Sequence, residues 1–149
     1  MAGALRMIPF ETRPLAGLGF PKSVSGLVDK AQGLVLVTGA TGSGKSTTLA
    51  SIIDAINSRH RHHIITIEDP IEYSHSSIKA TVDQREVYQD TKSFSAALKF
   101  ILRQDPDVMV IGELRDAPML RIASQLSMTG HTVLATMHAG NRQEVMTRL

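Results

Sequence analysis

The sequence predicts an α/β fold, a mainly parallel sheet flanked by helices, and three observations carry the prediction. Four apolar runs of strand type alternate with stretches whose apolar residues recur at helical spacing. The first run leads into a glycine-rich loop that opens onto a helix. Polar residues with chemical potential stand just past all four runs, at the carboxyl ends where a parallel sheet binds its ligands.

In order, the first strand is Leu34-Val-Leu-Val-Thr38, and the helix over 47–57 carries Leu49, Ile52, Ile53 and Ile56 at helical spacing. His63-Ile-Ile-Thr-Ile67 reads as a second buried strand. It must turn at Glu68-Asp69-Pro70, because Pro70 has no N–H and disfavours helix at Asp69. Residues 74–90 are polar, with partial alternation at Ile78, Ala80 and Val82, which predicts a short hairpin or an extended loop. Phe94, Ala97, Leu98 and Ile101 mark an amphipathic helix over 94–102, capped by Ser93 and ended by Asp105-Pro106. Val108-Met-Val-Ile111 is the third buried strand. A helix over 119–128 follows, closed by Gly130, with Asp116 as its N-cap and Pro118 in its first turn. Thr132-Val-Leu-Ala-Thr136 is the fourth strand.

Composition narrows the function classes. The 16 Lys+Arg against 14 Asp+Glu do not imply a strongly basic face for nucleic acid. The absence of cysteine excludes disulfides and thiolate metal sites from these 149 residues. No apolar run approaches membrane-spanning length and the N-terminus lacks a signal-peptide layout, so a cytoplasmic domain without membrane insertion is expected. Both ends look cut. Met1 to Phe20 shows no complete period, Arg142 to Leu149 begins a helix-like pattern and stops, and Pro14, Gly17, Gly19 and Pro21 punctuate a linker. A fragment truncated at its C-terminus is expected, with 1–22 the end of a preceding domain and its linker, and 23–149 an incomplete domain.

Gly39-Ala-Thr-Gly-Ser-Gly-Lys45-Ser46 fits the phosphate-binding pattern G-x-x-x-x-G-K-[ST] at every specified position. Its glycines let consecutive N–H groups curl around an anion, and the helix start adds its positive dipole end. Residues Gly39, Ala40, Thr41, Gly42, Ser43, Gly44, Lys45, Ser46 and Thr47 are therefore the predicted nucleotide contacts. Lys45 would reach the β- and γ-phosphates, and the Ser46 hydroxyl would ligate Mg²⁺. Glu68 and Glu113, just past the second and third strands, are candidates for orienting the attacking water and for organising Mg²⁺. Gly112 stands where many such enzymes have an aspartate.

These residues resemble the motor ATPases of type II secretion, type IV pili and twitching motility. Four motifs of that family stand in order over residues 33–149. They are the glycine loop, the acidic box Thr66-Ile-Glu-Asp-Pro-Ile-Glu-Tyr73, an atypical second nucleotide motif Val108-Met-Val-Ile-Gly-Glu-Leu-Arg-Asp116, and the histidine box Thr129-Gly-His-Thr-Val-Leu-Ala-Thr-Met-His-Ala139. Leu5-Arg-Met-Ile-Pro9 is similar to the family's passage into its linker, and Asp83-Gln-Arg-Glu-Val87 to pilus retraction motors. Ile101-Leu-Arg-Gln-Asp-Pro-Asp107 is shared more widely. Ala40 replaces the family's usual proline, and Ala139-Gly140 its Thr-rich continuation.

The resemblance implies a RecA-like P-loop NTPase core that hydrolyses ATP with Mg²⁺. It also implies a homo-hexamer on the cytoplasmic side, joined to the inner membrane through the platform protein of a pilus or secretion machine. It favours Glu68 as the catalytic base, Glu113 on the metal side and His138 as a γ-phosphate sensor or subunit-coupling residue. The residues alone leave the two glutamates interchangeable. Asp69 either faces the nucleotide or caps a turn. His131 and His138 stand at opposite ends of a strand, against joint metal ligation. Arg59-His-Arg-His-His63 suits a basic helix C-terminus. Arg85, Arg103, Arg115 and Arg121 are either phosphate or intersubunit contacts or surface ion pairs. Two rivals remain: a RecA-like nucleic-acid motor, disfavoured by four Phe, two Tyr and no Trp for stacking, and a nucleotide-binding module without turnover.

Overall fold

A computed structural model describes residues 8–9, 11–30, 32–139 and 146–147. In chain order the elements are α1 (Lys22–Ser25), β1 (Gly33–Thr38), α2 (Lys45–Arg59), β2 (His63–Glu68), β3 (Thr81–Glu86), α3 (Phe94–Ile101), β4 (Val108–Ile111), α4 (Ala117–Met128) and β5 (Thr132–Met137). The strands form one sheet in the order β1-β5-β4-β2-β3, every pair parallel. Parallel strands cannot be joined by tight hairpins; α2, α3 and α4 lie in the connections β1–β2, β3–β4 and β4–β5, and the helix-free segment 69–80 joins β2 to β3.

Side chains along a strand alternate between faces, so each strand feeds two cores. Ile65, Ile67, Met109, Ile111 and Val133 pack under α3 and α4, through Leu98, Ile101, Leu120 and Ala123. Ile64, Val108, Val110 and Leu134 pack on the other face under α2, through Leu49, Ile52, Ile53 and Ile56. The middles of β2 and β5 and the whole of β4 are mostly apolar and buried because both faces are covered.

The predicted caps are made. Ser93 Oγ accepts from the Ala96 amide at 3.1 Å and Asp116 Oδ1 from the Met119 amide at 2.8 Å. Gly130 leaves α4 at φ +93°. Within the stretch expected as a linker, a 3₁₀ turn (Leu15–Leu18) buries Leu15, which joins Val28 against α2.

The expected hairpin or loop over 74–90 is corrected. Residues 81–86 form a fifth strand, β3, parallel to β2 at the sheet edge. Its polar composition hid it. An edge strand needs no continuous apolar run, and here its side chains bond to neighbours instead: Asp83 to His63, Gln84 to Glu68, Arg85 to Gln104, and Glu86 to the Ile71 amide. The helix-like pattern over 142–149 and the passage at 5–7 lie outside the described residues, two positions of the former excepted.

Because all strands run the same way, Thr38, Glu68, Glu86, Ile111 and Met137 end on one side of the sheet. That shared end carries the glycine loop, Glu68, Glu113 and His138.

Candidate active site

The glycine loop crosses from β1 to α2 in a conformation its glycines permit. Gly39, Gly42 and Gly44 have φ of +155°, +77° and +91°. A Cβ on Gly39 would meet Ser43 Oγ at 2.5 Å, so the loop closes on itself only without a side chain there. The Ala40 carbonyl anchors the closure, accepting from the Ser43 amide at 3.3 Å, Ser43 Oγ at 2.7 Å and Lys45 Nζ at 2.8 Å. The backbone makes this anchor, so the Ala40 side chain takes no part in it. α2 starts at Lys45, and its unpaired N–H groups and dipole end favour an anion.

A cavity of 690 Å³ opens over the loop. Thr41, Gly42, Gly44, Lys45, Ser46 and Thr47 form one wall; Glu68, Glu113, Arg115 and His138 line it from the other strand ends. Of the predicted contacts, Gly39, Ala40 and Ser43 lie off this cavity, forming the back of the loop.

Glu68 sits at the end of β2, on the α2 face. Thr66, two residues earlier and so on the same face, donates from Oγ1 to Glu68 Oε1 at 2.7 Å. Gln84 Nε2, from β3, donates to the same oxygen at 3.1 Å. Burial pushes the Glu68 carboxyl above the usual carboxylate value; the bonds from Thr66, Gln84 and the Glu72 backbone oppose the rise without cancelling it. A carboxylate fixed by hydrogen bonds and raised toward neutrality suits a group that accepts a proton from water.

Glu113 is held differently. Its Oε2 accepts from Arg115 Nε at 2.9 Å, and its Oε1 lies 2.8 Å from His138 Nε2. Arg115 reaches on to Asp69, Nη1 to Oδ2 at 3.1 Å. Asp69 thus lines the cavity while its carboxylate is engaged by Arg115, tying the ends of β2, β4 and β5 together. A side chain at Gly112 would be crowded: a Cβ there would lie 3.2 Å from Glu68 Cα and 3.3 Å from the Ile67 carbonyl.

The other candidates fall elsewhere. His131 Nδ1 sits 3.1 Å from Thr129 Oγ1 and 3.3 Å from the Leu126 carbonyl, in the turn between α4 and β5. Six strand residues separate it from His138, roughly 20 Å. In the basic cluster, His60 and Arg59 pair with Asp29, and His63 with Asp83, away from the cavity. Arg103 and Arg121 are exposed and do not line it.

Three participants have no role legible in the sequence: Gln84, in a polar strand; Tyr73, whose hydroxyl shares a 2.9 Å hydrogen bond with Thr47 Oγ1; and Thr136, whose Oγ1 donates to the Gly112 carbonyl. Thr66 was legible from its i, i+2 relation to Glu68.

The donor set fits magnesium held through a nucleotide. Among the described residues no group of three His, Cys, Asp or Glu is placed to hold a metal ion. The Ser46 hydroxyl and Glu113 carboxylate line the cavity that Lys45 faces. Few protein oxygens beside a phosphate cradle is the pattern Mg²⁺ prefers.

The family model for type II/IV secretion system proteins matches residues 18–149. The type IV pilus retraction ATPase PilT of Pseudomonas aeruginosa is 47% identical over 149 residues, covering 99% of this chain and 43% of its own length. Type II secretion system protein E of Klebsiella pneumoniae is 46% identical over 128 residues, covering 86% of this chain and 25% of its own. The crystal structure of the pilus retraction motor PilT with bound ADP matches with a TM-score of 0.92 and 49% identity, covering 96% of this chain and 42% of that one. The chain therefore spans less than half the length of these relatives.

Proposed function

The chain belongs to the type II/IV secretion system protein family, and from that premise we propose that it is the ATP-hydrolysing core of a cytoplasmic motor. The reaction is ATP plus water to ADP plus phosphate. The observation that carries this reading is the placement of Glu68 across one cavity from Lys45 and Ser46.

Phosphoryl transfer mainly requires positioning and charge compensation. Lys45 and the amides at the start of α2 would neutralise the β- and γ-phosphates. Glu68 would orient the attacking water and take its proton. Ser46 and Glu113 would hold Mg²⁺, which supplies further charge compensation when bound. His138, paired with Glu113 at 2.8 Å, would sense the γ-phosphate from the end of β5.

In the whole protein the site would lie between subunits of a homo-hexamer. Its motion would pass to an inner-membrane platform protein of a pilus or secretion machine. The similarity to PilT supports a retraction-type motor.

Steady-state ATP turnover with Mg²⁺ over a wide range of protein concentration tests the reading. A steep rise in specific activity with concentration, abolished by Glu68→Gln while nucleotide binding persists, is expected. Wild-type turnover in folded Glu68→Gln would remove Glu68 from the base role.

A further inference from the structure

Gln84 makes more contacts around the site than its place in a polar edge strand suggests. In the parallel register it stands opposite Thr66, on the face that carries Glu68. Its Nε2 donates to Glu68 Oε1 at 3.1 Å and to the Tyr73 carbonyl at 2.8 Å. Its Oε1 accepts from the His75 amide at 2.8 Å. Tyr73 in turn shares a 2.9 Å hydrogen bond with Thr47, in the first turn of the phosphate-loop helix.

The segment after β2 is pinned beyond these bonds as well. Ile71 donates its amide to Glu86 Oε2 at 3.0 Å, and the buried Asn57 holds the Ser76 carbonyl and the Ile78 amide. Tyr73 therefore lies in a segment anchored at both ends, and Gln84 anchors its middle.

We propose that Gln84 is a positioning residue that orients Glu68 and, through Tyr73, ties that orientation to the phosphate loop. The inference rests on the reading of Glu68 as the group that orients water. The chemistry of the amide supports it. One side chain must donate to an anion and to a carbonyl while accepting an N–H, and glutamine has the two donors and one acceptor this needs. An ionised glutamate has no donor, and a lysine has no acceptor. Gln84→Glu keeps shape and the His75 contact but turns both donated bonds into repulsions. Gln84→Met removes the bonds without adding charge.

The test measures kcat, KM and nucleotide affinity for the full chain carrying Gln84→Glu, Gln84→Met, Glu68→Gln, and Glu68→Gln combined with Gln84→Glu. Misplacing a general base worth about 100-fold or more should lower kcat at least about tenfold. Affinity for ADP should stay within about threefold, since Gln84 does not touch the phosphate loop. In the Glu68→Gln background, Gln84→Glu should cost about twofold or less, because its effect runs through Glu68. An unchanged kcat, a loss matched in affinity, or losses that multiply would each overturn the proposal. If Glu68→Gln itself turns over like wild type, the base reading fails and takes this inference with it. A slow Glu68→Gln beside a fast Gln84→Glu sinks the inference alone.

A spectroscopic readout needs no turnover. The chain has two tyrosines and no tryptophan, so in a Tyr88→Phe background emission comes from Tyr73. Gln84→Met is expected to change that emission by freeing the Tyr73 backbone. Identical emission would overturn the link to α2.

Discussion

Glu68 occupies the space beside Gly112: a side chain on Gly112 would begin 3.2 Å from Glu68 Cα and 3.5 Å from its Cγ. Gly112, just past the end of β4, therefore lies against the end of β2, whose Ile67 carbonyl and Glu68 Cα crowd the position a Cβ would take. The neighbours are largely backbone, which cannot rotate away.

Gly112→Ala is accordingly expected to destabilise the chain by about 1–3 kcal/mol, the usual range for overpacking, and to lower ATP turnover more than nucleotide affinity. Thermal melts and a comparison of kcat with ADP affinity check both. A variant with unaltered melting and turnover would show that the strands part at no cost.

Glu68 also imposes a pH signature. Burial raises its folded-state pKa above the ordinary 4.5, so over the interval between the two values the native chain holds a proton that the unfolded chain has released. Stability therefore falls as pH rises from 4.5 through the raised value. Glutamine has no proton to lose and keeps an acceptor for Thr66. Glu68→Gln should melt above wild type at neutral pH, with the advantage gone below pH 4.5. A melting difference constant across pH would contradict this.

Arg115 separates stability from function. It is half-exposed, and exposed ion pairs contribute about 0–1 kcal/mol. Arg115→Ala should therefore move the melting temperature by no more than about 5 °C. It should nonetheless slow turnover, because Glu113 and Asp69 lose the group that joins them. Equal losses in stability and turnover would reduce Arg115 to a structural role.

Asp116 predicts the reverse. Its bond to the Met119 amide caps α4, and Asp116 does not line the cavity. Asp116→Ala should cost about 1 kcal/mol, as lost N-caps do, and leave ADP affinity unchanged. Calorimetric melting beside a nucleotide titration distinguishes this from a catalytic role.

Lys45→Ala should abolish productive ATP binding while the fold persists, since among the described residues the Lys45 side chain hydrogen-bonds to the loop's own Ala40 carbonyl. Circular dichroism with a nucleotide titration reads both halves. Wild-type affinity would remove Lys45 from the phosphate site.

Local order determined much of this protein. The apolar runs at 64–67, 108–111 and 132–137 are strands because a run covered on both faces needs no polar side chain. Ser93 and Asp116 cap their helices through bonds three residues away, within reach of sequence reasoning. The phosphate loop is likewise contiguous, its glycines and lysine set by the turn they must make.

What depended on tertiary structure is whatever joins distant segments. β3 is polar, and only its pairing with β2 makes it a strand. Gln84 gained its place from that pairing, and Gly112 its meaning from the approach of Glu68. Glu68 and Glu113 are interchangeable as letters, yet Glu68 is buried and bonded by Thr66, Gln84 and the Glu72 backbone, and Glu113 is held between Arg115 and His138. Periodicity records which face a residue takes along its own element. It carries no record of which strand lies beside it, and the environment of a buried charge is made by that neighbour.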